Sequence, residues 1–221
     1  MISRADIEEC IQSLESKRSS FGNRRSDKLA ICYLKIDEYS KARRLFIEAC
    51  QAMLQPAQRR QDITYSVRLV EACILSGELG LYRDVEDWLT TNRLTRPKIE
   101  AYSPVACYSY AVMDLLNKPG KDITGYIQTL LKDQKLKGMY AIGLAVQAVV
   151  SKDQTALTAS LSELCKVHER QVKQGGLRLA GLDYQILCTY AMSIAYVAIK
   201  YGLQVEVKSD YFSIGYLDYI Q

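Results

Sequence analysis

Apolar residues recur at helical spacing along most of this chain. Ile7, Ile11 and Leu14 lie at i, i+4 and i+7, so they share one helical face. The same period resumes over residues 26–36 and, after a break at Asp37, over residues 42–49, which predicts a helical hairpin. No stretch alternates convincingly between apolar and polar residues as a strand does. The pattern therefore favours an all-α fold of stacked antiparallel helical hairpins.

The same rhythm continues to the end of the last long helix. Further helices are expected over approximately residues 4–16, 62–75, 81–91, 104–116, 123–132, 139–150, 157–174 and 187–199. Ser103 and Pro104 form an N-cap and first-turn pair, and Gly202 is placed as a C-cap. After that glycine, Val205 and Val207 suggest a short extended segment. We expect one all-helical domain over residues 1–221.

Composition indicates a soluble, intracellular protein. The two most apolar stretches, Gly138–Val150 and Leu187–Ile199, are shorter than the roughly 20 residues needed to cross a bilayer. Charged residues among the first ten do not resemble a secretory signal. The seven cysteines form no CxxC pair, and their odd number argues against a secreted disulfide framework. These features predict a cytoplasmic protein with reduced thiols and no membrane partner.

Positive charge is concentrated near one end of the chain. The segment Lys17–Arg60 contains eleven Lys or Arg and four Asp or Glu, which gives it +7, whereas the whole chain carries +4. Such a segment could meet an acidic partner, but a solvated helical face is the favoured interpretation. Nucleic acid would require basic residues aligned with exposed aromatics, and the arginine pairs here supply charge only. A nucleic-acid partner is therefore not expected.

Catalytic patterns are scarce in the sequence. His168 is the single histidine, so any Ser-His-Asp or Cys-His arrangement depends on it. Its helical neighbours are leucines, which favours a hydrogen-bonded boundary residue over a general base. Arg170 follows two residues later and could complete an anion-binding pair. Gly175, Gly176 and Gly181 do not match a phosphate-binding loop. We expect no enzyme activity, metal or cofactor.

The sixteen tyrosines against three phenylalanines are unusual. Tyrosine is favoured at protein interfaces because it combines a large rigid ring with a polar tip. It can equally replace phenylalanine at the rim of a core. Both interpretations remain open from the sequence.

One segment resembles the tetratricopeptide-repeat consensus. The match covers residues 23–56 and rests on Leu29, Ala30, Tyr33, Ala42, Phe46 and Ala49. The resemblance implies a repeat-like hairpin within an α-solenoid or α-α superhelix. If that geometry applies, Arg24, Asp27 and Lys35 would face the concave side and contact a partner.

The C-terminal region, residues 138–221, resembles a second family. A long alanine-rich helix ends at Gly202 and leads into a V-x-V-x-S-x-Y stretch formed by Val205, Val207, Ser209 and Tyr211. These features are similar to the C-terminal half of the Immunity protein 49 family, which also tends to carry a His and an Arg near the preceding helix end. His168 and Arg170 match that pair in kind.

This second resemblance implies an immunity protein that neutralises a cognate bacterial toxin by direct occlusion. His168 and Arg170 then join Arg24, Asp27 and Lys35 as candidate partner contacts. The alternative is a helical-repeat adaptor that binds a peptide or a regulatory protein. A toxin gene next to the gene for this chain would favour immunity.

Overall fold

The computed structural model describes residues 3–17, 26–55, 63–93, 103–175 and 185–221, and these ranges contain helices but no strand. The helices are α1 (Arg4–Ser16), α2 (Ser26–Lys35), α3 (Tyr39–Leu54), α4 (Ile63–Ser76), α5 (Leu79–Arg93), α6 (Pro104–Asn117), α7 (Thr124–Leu131), α8 (Lys137–Ser151), α9 (Gln154–Lys173), α10 (Thr189–Lys200) and α11 (Ile214–Tyr219). The all-α prediction is confirmed. None of these helices combines the length and the apolar character that a membrane span requires.

Local capping residues fix several helix starts. The Ser3 hydroxyl accepts from the Asp6 N–H, and the Asp6 carboxylate accepts from the Ser3 N–H, which completes a capping box at α1. Ser103 accepts from the Ala106 N–H at 3.2 Å, directly before Pro104 at the first position of α6. The predicted Ser103–Pro104 start is therefore confirmed.

Sequential helices pack as antiparallel pairs. The pairs α2–α3, α3–α4, α6–α7, α7–α8 and α8–α9 are all in contact. Asp37, with a φ of 63°, forms the tight turn between α2 and α3 and lies at the predicted break. One hydrophobic cluster extends from Ile7 in α1 to Ile220 after α11. The assignment of residues 1–221 to one domain stays a prediction.

The helix α10 lies in the interior of this stack. It packs against α4, α6, α8 and α9, so it touches elements from both halves of the chain. Its small residues Ala191, Ala195 and Ala198 are fully buried, which allows close approach on several sides. In an open solenoid each repeat contacts only its neighbours. The structure thus supports a helical-hairpin stack but does not confirm a solenoid.

A left-handed glycine ends α10 and starts the extended segment. Gly202 has a φ of +81°, and the Leu203 N–H donates to the Ala198 carbonyl at 3.0 Å, as in a Schellman cap. Residues 203–209 then contain no helix, turn or bend, and their burial alternates at every residue. This period of two is that of an extended chain, which the sequence predicts here.

The last helix, α11, is not predicted by the sequence pattern. Ser213 accepts from the Tyr216 N–H at its start. The Tyr216 side chain is fully buried, and its hydroxyl donates to the Leu75 carbonyl at 2.5 Å. This hydrogen bond joins the C-terminal helix to α4.

Tyrosines mostly serve the core in the part of the chain that the structure describes. Five of them are buried, namely Tyr82, Tyr108, Tyr126, Tyr196 and Tyr216. Seven more are partly buried against the core, namely Tyr33, Tyr39, Tyr65, Tyr110, Tyr190, Tyr201 and Tyr211. Tyr82 and Tyr196 join α5 to α10 through a hydroxyl–hydroxyl hydrogen bond of 2.9 Å. Tyr219, at 49% exposure, is a surface residue. These positions favour the core interpretation over the interface interpretation.

Cysteines that are far apart in sequence lie together in space. The sulfur atoms of Cys10 and Cys32 are 3.7 Å apart across α1 and α2. Cys50 in α3 is hydrogen-bonded to Cys73 in α4. Cys165 in α9 is hydrogen-bonded to Cys188, the residue before α10. The first two pairs each join two helices, and the third joins α9 to the residue before α10. All seven thiols are nevertheless free.

Candidate functional site

The helix α9 and the extended segment form one continuous surface. Leu157, Leu161 and Leu164 bury one face of α9, and this helix packs on α8. The segment starts beside the first turn of α9, where the Gln154 side chain accepts from the Gln204 N–H at 2.9 Å and donates to the Gln204 carbonyl at 2.6 Å. The segment and the helix therefore run side by side in the same direction.

An open groove of about 800 Å³ lies between the helix and the segment. Its lining residues are Ser162, Cys165, Lys166, Glu169, Glu206, Lys208, Ser209, Asp210 and Tyr211. Two lysines and three carboxylates place charges of both signs on its walls. Glu169 is already paired with Lys173 at 2.7 Å, which lowers the pKa of the Glu169 carboxyl.

Cys165 lines this groove and is paired with Cys188, which lies behind it in the core. The hydrogen bond with Cys188 lowers the pKa of the Cys165 thiol, and a second hydrogen bond, with Ser209, acts in the same direction against burial. The same Cys165 contact, together with burial, raises the pKa of Cys188. Ser209 belongs to the extended segment, so this small polar cluster ties the segment's far end to α9.

His168 lies next to this groove, against the end of the segment. Its ring contacts the Tyr211 ring edge-on, with 5.1 Å between centroids. Burial lowers the pKa of His168 to about 4, and the hydrogen bond with the Gln185 backbone only partly opposes this. The Nε2 atom is buried without a hydrogen-bond partner among the described residues. It lines a small pocket of about 120 Å³ that also contains Leu164, Leu187 and Tyr190.

Arg170 faces a different groove. This second groove, of about 470 Å³, is lined by Lys135, Leu136, Lys137, Gly138, Met139, Val167, Arg170, Gln171 and Gln174. Arg170 also forms an ion pair with Glu163, which lies seven residues earlier on the same face of α9. The pocket of His168 and the groove of Arg170 share Gly138, Met139, Val167 and Gln171. The two side chains therefore lie in adjoining cavities, and their role as an anion-binding pair stays a prediction.

The three N-terminal candidates have different surroundings. The Lys35 ammonium donates to the Asp210 carbonyl, which places it at the end of the extended segment. Asp27 is 5% exposed, and both of its carboxylate oxygens accept from Arg68 of α4 at 2.7 Å. Arg24 lies outside the described residues. The structure thus brings Lys35 and His168 to the same segment, whereas Asp27 is buried in an ion pair with Arg68 of α4. Their role as partner contacts stays a prediction.

A buried polar cluster in the middle of the stack is missed by the sequence analysis. Glu71 is fully buried, and this burial raises the pKa of its carboxyl to about 8, although a hydrogen bond with Thr189 opposes the shift. Burial likewise raises the pKa of Tyr108, on which Glu71 also acts. The only sequence signal is a lone acid inside the apolar run Leu69–Leu75.

Metal-ligating side chains do not cluster in the residues described here, where no three His, Cys, Asp or Glu form a cation site. Comparison of the chain with protein-family models, with curated proteins and with solved structures finds no match.

Proposed function

We propose that this chain is a bacterial immunity protein that binds a cognate protein toxin and neutralises it by occlusion. The observation that carries the proposal is the groove of about 800 Å³ between α9 and the extended segment. One wall of this groove is the V-x-V-x-S-x-Y stretch on which the resemblance to the immunity family rests. The feature that suggests the family therefore coincides with an open surface large enough to receive part of another protein.

Two of the candidate contacts support the same surface. Lys35 holds the Asp210 carbonyl, and His168 packs on the neighbouring Tyr211. Both side chains fix the end of the segment from outside it. A preformed wall of this kind reduces the ordering cost of binding.

The chemistry of the groove favours binding over catalysis. The only histidine has a pKa of about 4, so its neutral ring is a weak base near neutral pH. The charged groups on the walls have both signs, and Glu169 is already neutralised by Lys173. Such a surface suits complementary contact with a partner protein.

Co-expression of the chain with the protein encoded next to its gene tests this proposal. We expect bacteria to survive only when both proteins are made, and we expect the two to purify as a complex. A variant with Lys166→Glu and Lys208→Glu reverses two charges in the groove and should weaken both survival and complex formation. A control variant, Arg4→Glu, changes an exposed charge on α1 and should protect fully.

The adaptor alternative makes a different prediction. An adaptor would leave a toxic neighbour lethal and would form no complex with it. A harmless neighbour, or one that still kills in the presence of a folded chain, would therefore contradict the immunity proposal.

A further inference from the structure

The extended segment has main-chain groups without hydrogen bonds. Within the described residues, the N–H and C=O groups of Val205, Glu206, Val207 and Lys208 bond to no other group. Their side chains nevertheless have a fixed arrangement, since Val205 and Val207 pack on the core while Glu206 and Lys208 are exposed. The segment is thus held as a single extended chain on the helical stack.

Gln154 shows which edge of the extended segment faces the groove. Its side-chain amide satisfies both the N–H and the C=O of Gln204, as a residue of a neighbouring strand would do. In an extended chain, both main-chain groups of every second residue point to the same edge. The groups of Glu206 and Lys208 therefore point toward α9, along the groove that these two residues line.

We infer that this edge binds an extended peptide segment of the partner protein by strand addition. The incoming peptide would lie in the groove beside Gln204–Lys208, a length of about 16 Å, and exchange main-chain hydrogen bonds with Glu206 and Lys208. The inference rests on the proposed function only where it identifies the partner as a toxin.

The groove chemistry favours a peptide over other ligands. Walls that carry both Lys166 and Lys208 as well as Glu206 and Asp210 create no uniform field for a polyanion. Unpaired donors and acceptors in strand geometry match a peptide main chain directly. The Gln154 amide limits pairing at one end and so fixes the register of the incoming strand.

Proline substitution tests the main-chain contacts. The Glu206→Pro/Lys208→Pro variant removes two N–H donors, yet it suits an extended chain because proline favours extended geometry in the preceding residue. The matched control, Glu206→Ala/Lys208→Ala, removes the same side chains and keeps both N–H groups. Thermal unfolding of both variants checks that the stack remains intact.

The probe is a phage-displayed library of random linear peptides selected on the full chain. We expect selected peptides to bind the wild type and the alanine control alike, and to bind the proline variant at least about tenfold more weakly. A selected peptide should also slow amide exchange at Glu206 and Lys208 by about tenfold or more, which decides the question if the proline variant unfolds. Peptides that are insensitive to proline and leave exchange unchanged, or a library that yields no binder, would overturn the inference.

Three further outcomes separate the possible occupants and the two proposals. A wild-type dimer that the proline variant loses, measured by light scattering, would assign the edge to a second copy and overturn the inference. If the toxin is neutralised equally by the proline variant, the inference fails and the proposed function stands. If the neighbouring protein is not neutralised but proline-sensitive peptides bind, the proposed function fails and the inference stands.

Discussion

Gly77 lies in the turn between α4 and α5, where the end of the chain packs against it. It has a φ of +62°, and a Cβ at this position would lie 2.6 Å from the Ile220 carbonyl oxygen. Gly120 has a similar φ of +88° but open space around it. Comparison of the same substitution at the two glycines therefore separates the cost of backbone strain from the cost of steric overlap with Ile220.

Replacement of Gly77 by alanine should destabilise the fold more than the same change at Gly120. We expect a loss of about 1 kcal/mol for Gly120→Ala from backbone conformation alone. The loss for Gly77→Ala should be about 2 to 4 kcal/mol, because Ile220 must also move. Urea unfolding measures both values, and equal losses would show that the Ile220 contact contributes nothing.

Asp27 should act on stability. Its side chain is 8% exposed and lies against Arg68, whose side chain is 24% exposed. Asp27→Ala leaves the guanidinium without this partner, so we expect a loss of about 2 to 3 kcal/mol in unfolding free energy. The control Lys41→Ala breaks a surface pair with Glu38 and should change stability by less than about 0.5 kcal/mol. Similar small losses in both variants would contradict a structural role for Asp27.

The sequence could not predict the ion pair of Asp27 because its partner is remote. Its position on α2 is set by the helical period, but Arg68 is 41 residues later in the chain. A helical-repeat consensus assigns faces only relative to the expected neighbours. The same limitation hides Glu71, whose burial depends on α10 packing across α4.

At the scale of elements, the pairing of cysteines links adjacent helices. Cys10 is partly exposed and its sulfur is 3.7 Å from that of Cys32, whereas Cys50 and Cys73 are both fully buried. Reagents reach the first pair more easily. The geometry therefore predicts selective oxidation between α1 and α2.

Diamide should convert the thiols of Cys10 and Cys32 to a disulfide before it affects Cys50 and Cys73. The two thiols give up two protons and two electrons, and the azo group of diamide is reduced to a hydrazine. Peptide mapping by mass spectrometry without reductant measures the product. Cys10→Ser should abolish it, and a product between Cys50 and Cys73 that forms first would contradict the prediction.

Helices with strong local signals could be predicted from the sequence. The bounds of α1 match the apolar period, and the α6 start follows from Ser103 and Pro104. By contrast, α11 is only 6 residues long and depends on Tyr216 reaching Leu75 across 141 positions. The groove also depends on distant partners, since Gln154 and Gln204 are 50 residues apart. Local patterns contain no information about such pairs.

At the scale of the whole molecule, two buried groups are expected to contribute to the pH dependence of stability. The Glu71 pKa is about 8 in the fold against an ordinary 4.5, so between these values the folded chain keeps a proton that the unfolded chain releases. Stability contributed by Glu71 is thus lost as pH rises. The His168 pKa is about 4 against 6.5, so stability contributed by His168 is lost as pH falls through that window. The two effects oppose each other between pH 4.5 and 6.5.

Above pH 6.5, Glu71 acts without His168. We expect the unfolding free energy to fall between pH 6.5 and 8 with a slope approaching about 1.4 kcal/mol per pH unit. Glu71→Gln removes the titrating proton and should flatten this slope, so the stability of the variant rises relative to that of the wild type as pH rises. Urea titrations across this pH range measure the slope. A wild-type slope that survives in Glu71→Gln would assign the effect to another group.

The interior position of α10 has a consequence for the order of assembly during protein synthesis. The helices α4 and α6 leave the ribosome well before α10, yet part of their apolar surface is covered only by α10. The early part of the chain must therefore expose hydrophobic surface until α10 has been made. This state favours aggregation and chaperone capture. Completion of the core after α10 is made also couples the groove beside α9 to the rest of the fold, because the extended segment follows α10 directly. The surface that we propose meets a partner is formed only when the whole stack has closed.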